Sequence, residues 1–456
     1  MDLRDYQQQT KTELRNAFLQ GLRRLLMVVP TGGGKTVIFT NMVSEMIAKG
    51  KTCMILCDRK ELIKQAYSKI TQYDIHPTII APGYKLYKNS VYLASVDTLK
   101  RYQSPTSKAS DFLRRELPYV DCIIVDEAHK QTFDKILLEY IELCNPFIIG
   151  ATATPLRTGS QNCLSLIYQD IVNPVSVQNL LDLNFLAPAR TFASKLDMSS
   201  VKVKGGDYDN KAMYEKFNSV ALYDGVVENY LKFSDGKKAI CFNVNVEHSV
   251  NMVQKFRDSG LQAVHLDGNT PDAERTKILR DYSKENFILS NCSVLTTGFD
   301  EPSIEVVIVN RATLSLPLWL QMTGRGSRIY KKKEHFTIID QGANVYRHGM
   351  WEDDREWSLY KKPKRKGDGV APVKVCGACE ALNASSTRLC KVCGQQFEVK
   401  EKKLAQAEFV EIKKNRGLGV KFDVRNATNQ ELADYAKEMG YKKGWVYQQM
   451  KLNGKI

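Results

Sequence analysis

Short apolar runs, unbroken by charge until their ends, limit the fold of this chain more than any other feature. Four fall early: LLMVV at 25–29, CMILC at 53–57, CIIVD at 122–126 and PFIIGA at 146–151. Three fall later: AICFN at 239–243, AVHLD at 263–267 and EVVIVN at 305–310. A strand with one wet face alternates apolar and polar residues. Continuous runs of this length suit parallel strands covered on both faces. Helical stretches stand between them, and two of these, TVIFTNMVSEMIAKG and EHSVNMVQKFRDSG, stop on Gly50 and Gly260. Thr270 and Pro271 read as the N-cap and first-turn proline of a third helix. The strand–helix alternation occurs twice. It predicts an α/β chain with two tandem parallel-sheet domains, at residues 1–185 and 235–350, joined by a connecting segment at 186–234. After 350 the alternation lapses into a basic linker at 351–374, a cysteine cluster at 375–397 and a basic helical region at 398–456.

Composition narrows the function classes. Hydrophobic content of 43% and charged content of 26% are those of a globular chain with real cores. No apolar run approaches the ~18 residues of a membrane span, and the start, MDLRDYQQQT, has no apolar signal core. These features predict no membrane partner, a cytoplasmic location and reduced thiols. The net charge of +15 favours a polyanionic partner, most often nucleic acid. Residues 351–456 carry 22 Lys and Arg against 14 Asp and Glu, so about half of the excess sits in the last quarter.

LLMVVPTGGGKT joins a buried strand, a glycine-rich turn and a helix. Gly32, Gly33 and Gly34 let the backbone after Thr31 turn its N–H groups inward toward a polyphosphate. Lys35 is placed to reach the β- and γ-phosphates, and Thr36 to bind Mg2+. Val29 stands where the strict phosphate-loop pattern has glycine. Some 90 residues on, CIIVDEAH ends a strand in Asp126, suited to the Mg2+ shell, and Glu127, suited to activating a water.

With these motifs in order, the sequence resembles the superfamily 2 helicases and translocases across roughly residues 1–345. The resemblance implies two RecA-like domains, an ATP substrate, Mg2+ and a nucleic-acid track. LRDYQ at 3–7 resembles the adenine-reading element, with Arg4 and Gln7, and DEAH at 126–129 the box that names one branch. GATATP at 150–155 resembles the segment coupling hydrolysis to strand movement through Thr152 and Thr154. TTGFDEP, with Thr296, Gly298 and Asp300, resembles the element facing both ATP and nucleic acid. QMTGRGSR resembles the arginine-finger motif, which implies that Gln321, Arg325 and Arg328 face the γ-phosphate. The nucleic-acid track is expected at Arg59, Lys60, Ser95, Thr98, Thr152 and Thr296, which contact backbone rather than base.

Cys376, Cys379, Cys390 and Cys393 have the spacing C-x2-C-x10-C-x2-C, two knuckles that can close a tetrahedral Zn2+ site. A structural cap and a nucleic-acid contact both remain open for it. Asn383 between the pairs is similar to small RNA-binding fingers. Lys442, Lys443 and Trp445 offer cations and a ring for an unstacked base, while Trp445 equally suits the core of a helical pair. The order of core, zinc knuckle and basic end resembles RadD-like DNA repair helicases, and the compact length resembles phage branch-migration helicases. The expectation is a monomeric DNA helicase acting on branched or partly single-stranded DNA, in the host cytoplasm if phage-encoded. The alternatives are an RNA helicase and a nucleic-acid-bound ATPase switch.

Overall fold

The computed structural model describes residues 3–58, 60–102, 119–157, 163–234, 236–296 and 298–360, and beyond these 373–375, 378, 382–384, 388–389, 394–397, 410–412, 427–438 and 444–452. No described helix is long and apolar enough to cross a membrane. The chain divides into two units, residues 1–412 and 413–456.

The first unit holds two seven-stranded sheets. In the first are β1 (Arg24–Val28), β2 (Cys53–Cys57), β3 (Thr78–Ile80), β4 (Val91–Ser95), β5 (Cys122–Asp126), β6 (Phe147–Thr152) and β7 (Asp170–Val172). They lie in the order β3-β4-β2-β5-β6-β1-β7, every pair parallel. The four early apolar runs are its central strands, wholly buried along β2 and nearly so along β1, β5 and β6. Helices Lys35–Ala48 and Asp134–Cys144 provide crossovers, and Asp5–Leu19, which precedes β1, packs against the first of them. Asp126 pairs in register with Ala151 and Val28 with Thr152, so three strands end together at one edge. In parallel α/β sheets this carboxyl edge is where ligands bind.

Residues 186–234, expected as a connector, carry β8 (Ala189–Ala193), which runs parallel to a strand of the second sheet. They also form a hairpin of β9 (Val203–Lys204) and β10 (Asp207–Tyr208), and helices Asn210–Phe217 and Val220–Ser234. The second sheet adds β11 (Ala239–Asn243), β12 (Ala263–Leu266), β13 (Ile288–Asn291), β14 (Val306–Asn310) and β15 (Phe336–Asp340). A hairpin of β16 (Val373–Val375) and β17 (Leu382–Ala384) follows, then β18 (Val410–Ile412). The order is β12-β13-β11-β14-β15-β8-β18, parallel except for the edge strand β18. The chain therefore enters the second sheet near 189, before the run at 239–243. No local pattern marks β8, because ARTFA mixes charge and apolar residues. Thr270 does not cap the helix as its sequence suggests. Pro271 is the N-cap of Asp272–Lys284, and the Thr270 hydroxyl bonds Asp267 Oδ1 at 3.1 Å.

After β15 the chain returns to the first sheet. Trp351 packs edge-on against Phe336, with ring centroids 5.4 Å apart. Leu359 is buried in the core on one face of the first sheet, and the Ser165 N–H donates to its carbonyl at 3.3 Å. In the second unit, helices Asn429–Glu438 and Gly444–Leu452 pair over buried Leu432 and Ala436. The half-buried Trp445 stands 6.0 Å from Tyr435, so its ring serves this small core.

Candidate nucleotide site at the carboxyl edge of the first sheet

The phosphate loop leaves β1 and turns over its own first residue. Val29 is fully buried, and its Cγ1 lies 2.6 Å from where a Cβ on Gly33 would stand. The departure from the phosphate-loop pattern at position 29 is thus filled from within, and the valine in turn obliges glycine at 33. Gly32 and Gly34 take φ of 90° and 79°, the left-handed region that glycine enters without strain. Helix Lys35–Ala48 starts directly on Gly34, and Thr36 is its half-buried second residue. The Val29 N–H donates to the Thr152 carbonyl at 3.1 Å, joining this loop to the end of β6.

Gln7 packs beneath the loop. Its Nε2 donates to the Gly33 carbonyl at 3.4 Å, and its Oε1 accepts the Arg4 N–H at 3.0 Å. The Tyr6 hydroxyl donates to the same Gly33 carbonyl at 2.9 Å. Arg4 lies 4.0 Å over the ring of Phe185, a partner about 180 residues away along the chain. Gln7 therefore braces the loop with the groups expected to read a base.

Asp126 and Glu127 stand at the end of β5, Glu127 with a φ of 54° that turns its carboxylate away from the strand direction. The Glu127 N–H donates to Asp126 Oδ1 at 3.1 Å. Burial raises the Asp126 carboxyl to about 6, repulsion from Glu127 adds to it, and Lys35 opposes both. Burial would raise Glu127 too, but His129, Lys35, Lys130 and Arg325 together hold it below the ordinary carboxylate value. His129 is itself lowered by burial, so near neutral pH the three permanent cations carry that field. Lys35 is pulled below its ordinary value by desolvation, against the attraction of Glu127 and Asp126.

His129 links this strand end to the next. Its Nδ1 lies 2.9 Å from Thr152 Oγ1, which also accepts the Thr154 N–H at 3.1 Å. Thr152 is fully buried, so it has no face for the nucleic-acid contact expected of it and connects the DEAH box to GATATP instead. The Thr154 hydroxyl is buried with no hydrogen-bond partner among the described residues.

The second sheet supplies two guanidiniums. Arg325 Nη2 donates to the Thr296 carbonyl at 2.6 Å, Nη1 donates to the Phe299 carbonyl, and its buried Nε has no partner among the described residues. Burial and then Arg328 lower it to about 10, so it stays charged at neutral pH. Arg328 Nη1 comes within 3.1 Å of the position a Cβ would take on Gly32, so it faces the phosphate loop. Its Nε donates to Asp300 Oδ1 at 3.0 Å, and Lys69, in helix Lys60–Thr71 of the first sheet, reaches the other Asp300 oxygen at 3.6 Å. Gln321 is buried one turn before Arg325, and Gly298 has a φ of 74°. Gly326 admits no side chain, since a Cβ there would stand 2.2 Å from the Phe336 ring. Gly326→Ala is expected to cost about 1–3 kcal/mol by overpacking, read as a lower denaturation midpoint with an unchanged m-value.

These residues fit a magnesium nucleotide. Cations and carboxylates meet at one sheet edge, three successive glycines carry no side chains of their own in the loop, and Glu127 Oε2 is buried without a hydrogen-bond partner among the described residues. The nucleic-acid candidates are less unified. Ser95, Thr98 and Thr296 are all at least nine-tenths buried. Arg59, the Lys60 side chain, Lys442 and Lys443 lie outside the described residues, as do Cys376, Cys379, Cys390 and Cys393. The Gln7 brace, the His129–Thr152 link, Phe185 and the Lys69–Asp300 pair were not legible in the sequence. Each joins residues too distant along the chain for any local pattern to show.

Comparison with known proteins agrees with this architecture. The family of the type III restriction enzyme res subunit matches residues 1–157, and the helicase conserved C-terminal domain matches residues 223–330. A 51.5 kDa protein of a Lactococcus phage is 30% identical over 381 residues, covering 82% of this chain and 78% of its own length. IRC3 of Saccharomyces cerevisiae, assigned as an ATP-dependent helicase, is 28% identical over 74% of this chain, which spans 51% of its length. Among solved structures, a Vibrio vulnificus fragment assigned as an HsdR subunit of a type I restriction enzyme shares the fold. Its TM-score is 0.58 at 23% identity, over 76% of this chain and 65% of that one. Two parallel sheets, a phosphate loop facing arginines of the second sheet, and these matches give one conclusion: the chain belongs to the superfamily 2 helicases, a family of ATPase enzymes.

Proposed function

We propose that this protein is an ATP-driven DNA motor that unwinds or migrates forked or junction DNA in replication, recombination or repair. The observation that carries the reading is the meeting of Lys35, Asp126 and Glu127 with Arg325 and Arg328 across two sheets. Residues 31–34 would cradle the phosphates of ATP, with Arg4 and Gln7 beside the base. Thr36 and Asp126 would hold Mg2+, which neutralises phosphate charge when bound. Glu127, kept ionised by the surrounding cations, would orient the attacking water and take its proton. Lys35 and the two arginines would stabilise charge as it develops on the γ-phosphoryl oxygens. Gln321, Gly298 and Asp300 would complete the wall formed by the second sheet. Because the arginines sit on a different sheet from the phosphate loop, turnover would be linked to the sheets' relative movement.

The excess positive charge supports a nucleic-acid partner, and the order of motifs, which resembles DNA repair helicases, supports DNA. Arg59, Lys60, Lys442 and Lys443 are its candidate phosphate contacts. In this reading the four clustered cysteines bind one Zn2+ on a basic tail, and the protein works as a monomer in the cytoplasm, the host's if phage-encoded. The test is ATPase rate and strand separation on single-stranded DNA, forks, four-way junctions and RNA. Strongest stimulation by forks or junctions is expected. Stronger stimulation by RNA overturns the DNA assignment, and turnover without strand separation or branch migration leaves a switch. Metal analysis after reductive purification without chelator should find about one Zn2+ per chain, and less than half an equivalent removes the zinc reading.

A further inference from the structure

The stretch IYKKKEH at 329–335 reads as a solvated basic turn. Lys331 and Lys332 are indeed exposed, but Lys333 is half-buried and points inward. Its Nζ donates to three carbonyls: Pro302 at 2.8 Å, Ile304 at 2.9 Å and Gly326 at 3.0 Å. An ammonium has three N–H donors and no acceptor, so all three are used.

The carbonyls belong to two segments that carry the second sheet's share of the site. Pro302 ends the TTGFDEP stretch and Ile304 follows it, whereas Gly326 lies between Arg325 and Arg328. Arg325 already ties the first part of TTGFDEP to the arginine loop through Thr296 and Phe299. Lys333 ties the second part, and Phe336 beneath Gly326 leaves the loop no room to settle inward. With one ammonium and one guanidinium, Thr296, Phe299, Pro302 and Ile304 are tied to the loop at 324–328 in a single plate that presents Arg328 to Gly32.

We infer that Lys333 is a positioning residue for phosphoryl transfer, its ammonium fixing the loop that aims Arg325 and Arg328 across the cleft. The inference rests on the proposed ATPase reading. Glu305 and Glu301 face this ammonium and favour its charge, Arg328 opposes it, and Lys237 competes for Glu305 at 3.9 Å. Burial is the largest influence and brings Lys333 down to about 8. As pH rises through that value, the amine keeps two donors and turns a lone pair toward carbonyl oxygens, so the plate loosens. Folding stability moves the other way. With the folded value below the unfolded one near 10.5, the unfolded chain binds more protons between the two, and this group's contribution to stability rises with pH. An alkaline loss of turnover from this source is therefore not unfolding.

The experiment measures DNA-stimulated ATPase of the full chain from pH 6.5 to 9.5 for wild type, K333M and K333R, with ADP affinity and thermal midpoint in parallel. K333M is expected to lose roughly ten- to a hundredfold in kcat at neutral pH, with KM for ATP and ADP affinity within threefold. Wild type should show an alkaline limb in kcat near pH 8. K333R, charged throughout, should move that limb upward by at least one pH unit. A folded K333M with kcat within twofold of wild type overturns the inference. If K333M does not fold, K333R decides, and an unmoved limb overturns it. A wild-type chain without ATPase activity overturns this inference together with the reading beneath it.

Discussion

Glu127→Gln is expected to lower ATP turnover by about 10²–10⁴-fold, the range for loss of a positioned general base, while nucleotide still binds. The substitution is isosteric, so it keeps the shape that Glu127 presents at its φ of 54° and removes only the charge and the basicity. In the native site that charge survives burial because Lys35, Lys130 and Arg325 surround it. Removing it also relieves repulsion on Asp126, the neighbour that burial and Glu127 together raise to about 6. Affinity for a magnesium nucleotide should therefore hold or improve as turnover collapses. Equilibrium binding of a fluorescent ATP analogue and steady-state turnover on the same preparation separate the two effects. Turnover within threefold of wild type would show that the water is activated elsewhere.

Arg325→Ala should cost about 10³-fold in kcat, the lower end of what an arginine finger supplies, and should also lower stability. The second effect follows from geometry, since the buried guanidinium holds the carbonyls of Thr296 and Phe299 and its loss leaves both without that donor. ADP binding, which the first sheet dominates, should change little. The discriminating measurement is kcat per folded molecule in a single-turnover assay. A fall in thermal midpoint alone, with that rate preserved, would make Arg325 a strut only. Arg328→Ala should retain more activity, because Asp300 and Lys69 still bridge the two sheets without it.

Much of this site was legible in sequence, for a physical reason. A phosphate loop is made by adjacent residues, so strand, glycines, Lys35 and Thr36 must be contiguous. The same holds for Asp126 and Glu127 at a strand end. The seven apolar runs are all strands: six lie inside a parallel sheet that buries both their faces, and β12 stands at an edge, half-buried. Val29 shows the limit of a pattern: a fixed glycine position is not needed when the residue there packs beneath the turn. β8 was illegible because its membership is conferred by pairing with β15 rather than by its own alternation. The hydroxyls expected along the nucleic-acid track gave no local sign of their burial. Thr152 has the right chemistry, but His129 occupies it inside the molecule.

The sequence by itself determined the α/β class, the two-sheet plan, the phosphate loop and the carboxylate pair. All of these follow from contiguous residues and from the period of burial. Only the tertiary structure decided which charges share a field and what holds them in place. It set Arg328 over Gly32, Lys69 on Asp300, and Lys333 on the carbonyls of the arginine loop. Those partners stand from 7 to nearly 300 residues apart in sequence. Their meeting is fixed by the register of the strands and the packing of one sheet against the other, which no local stretch of sequence encodes.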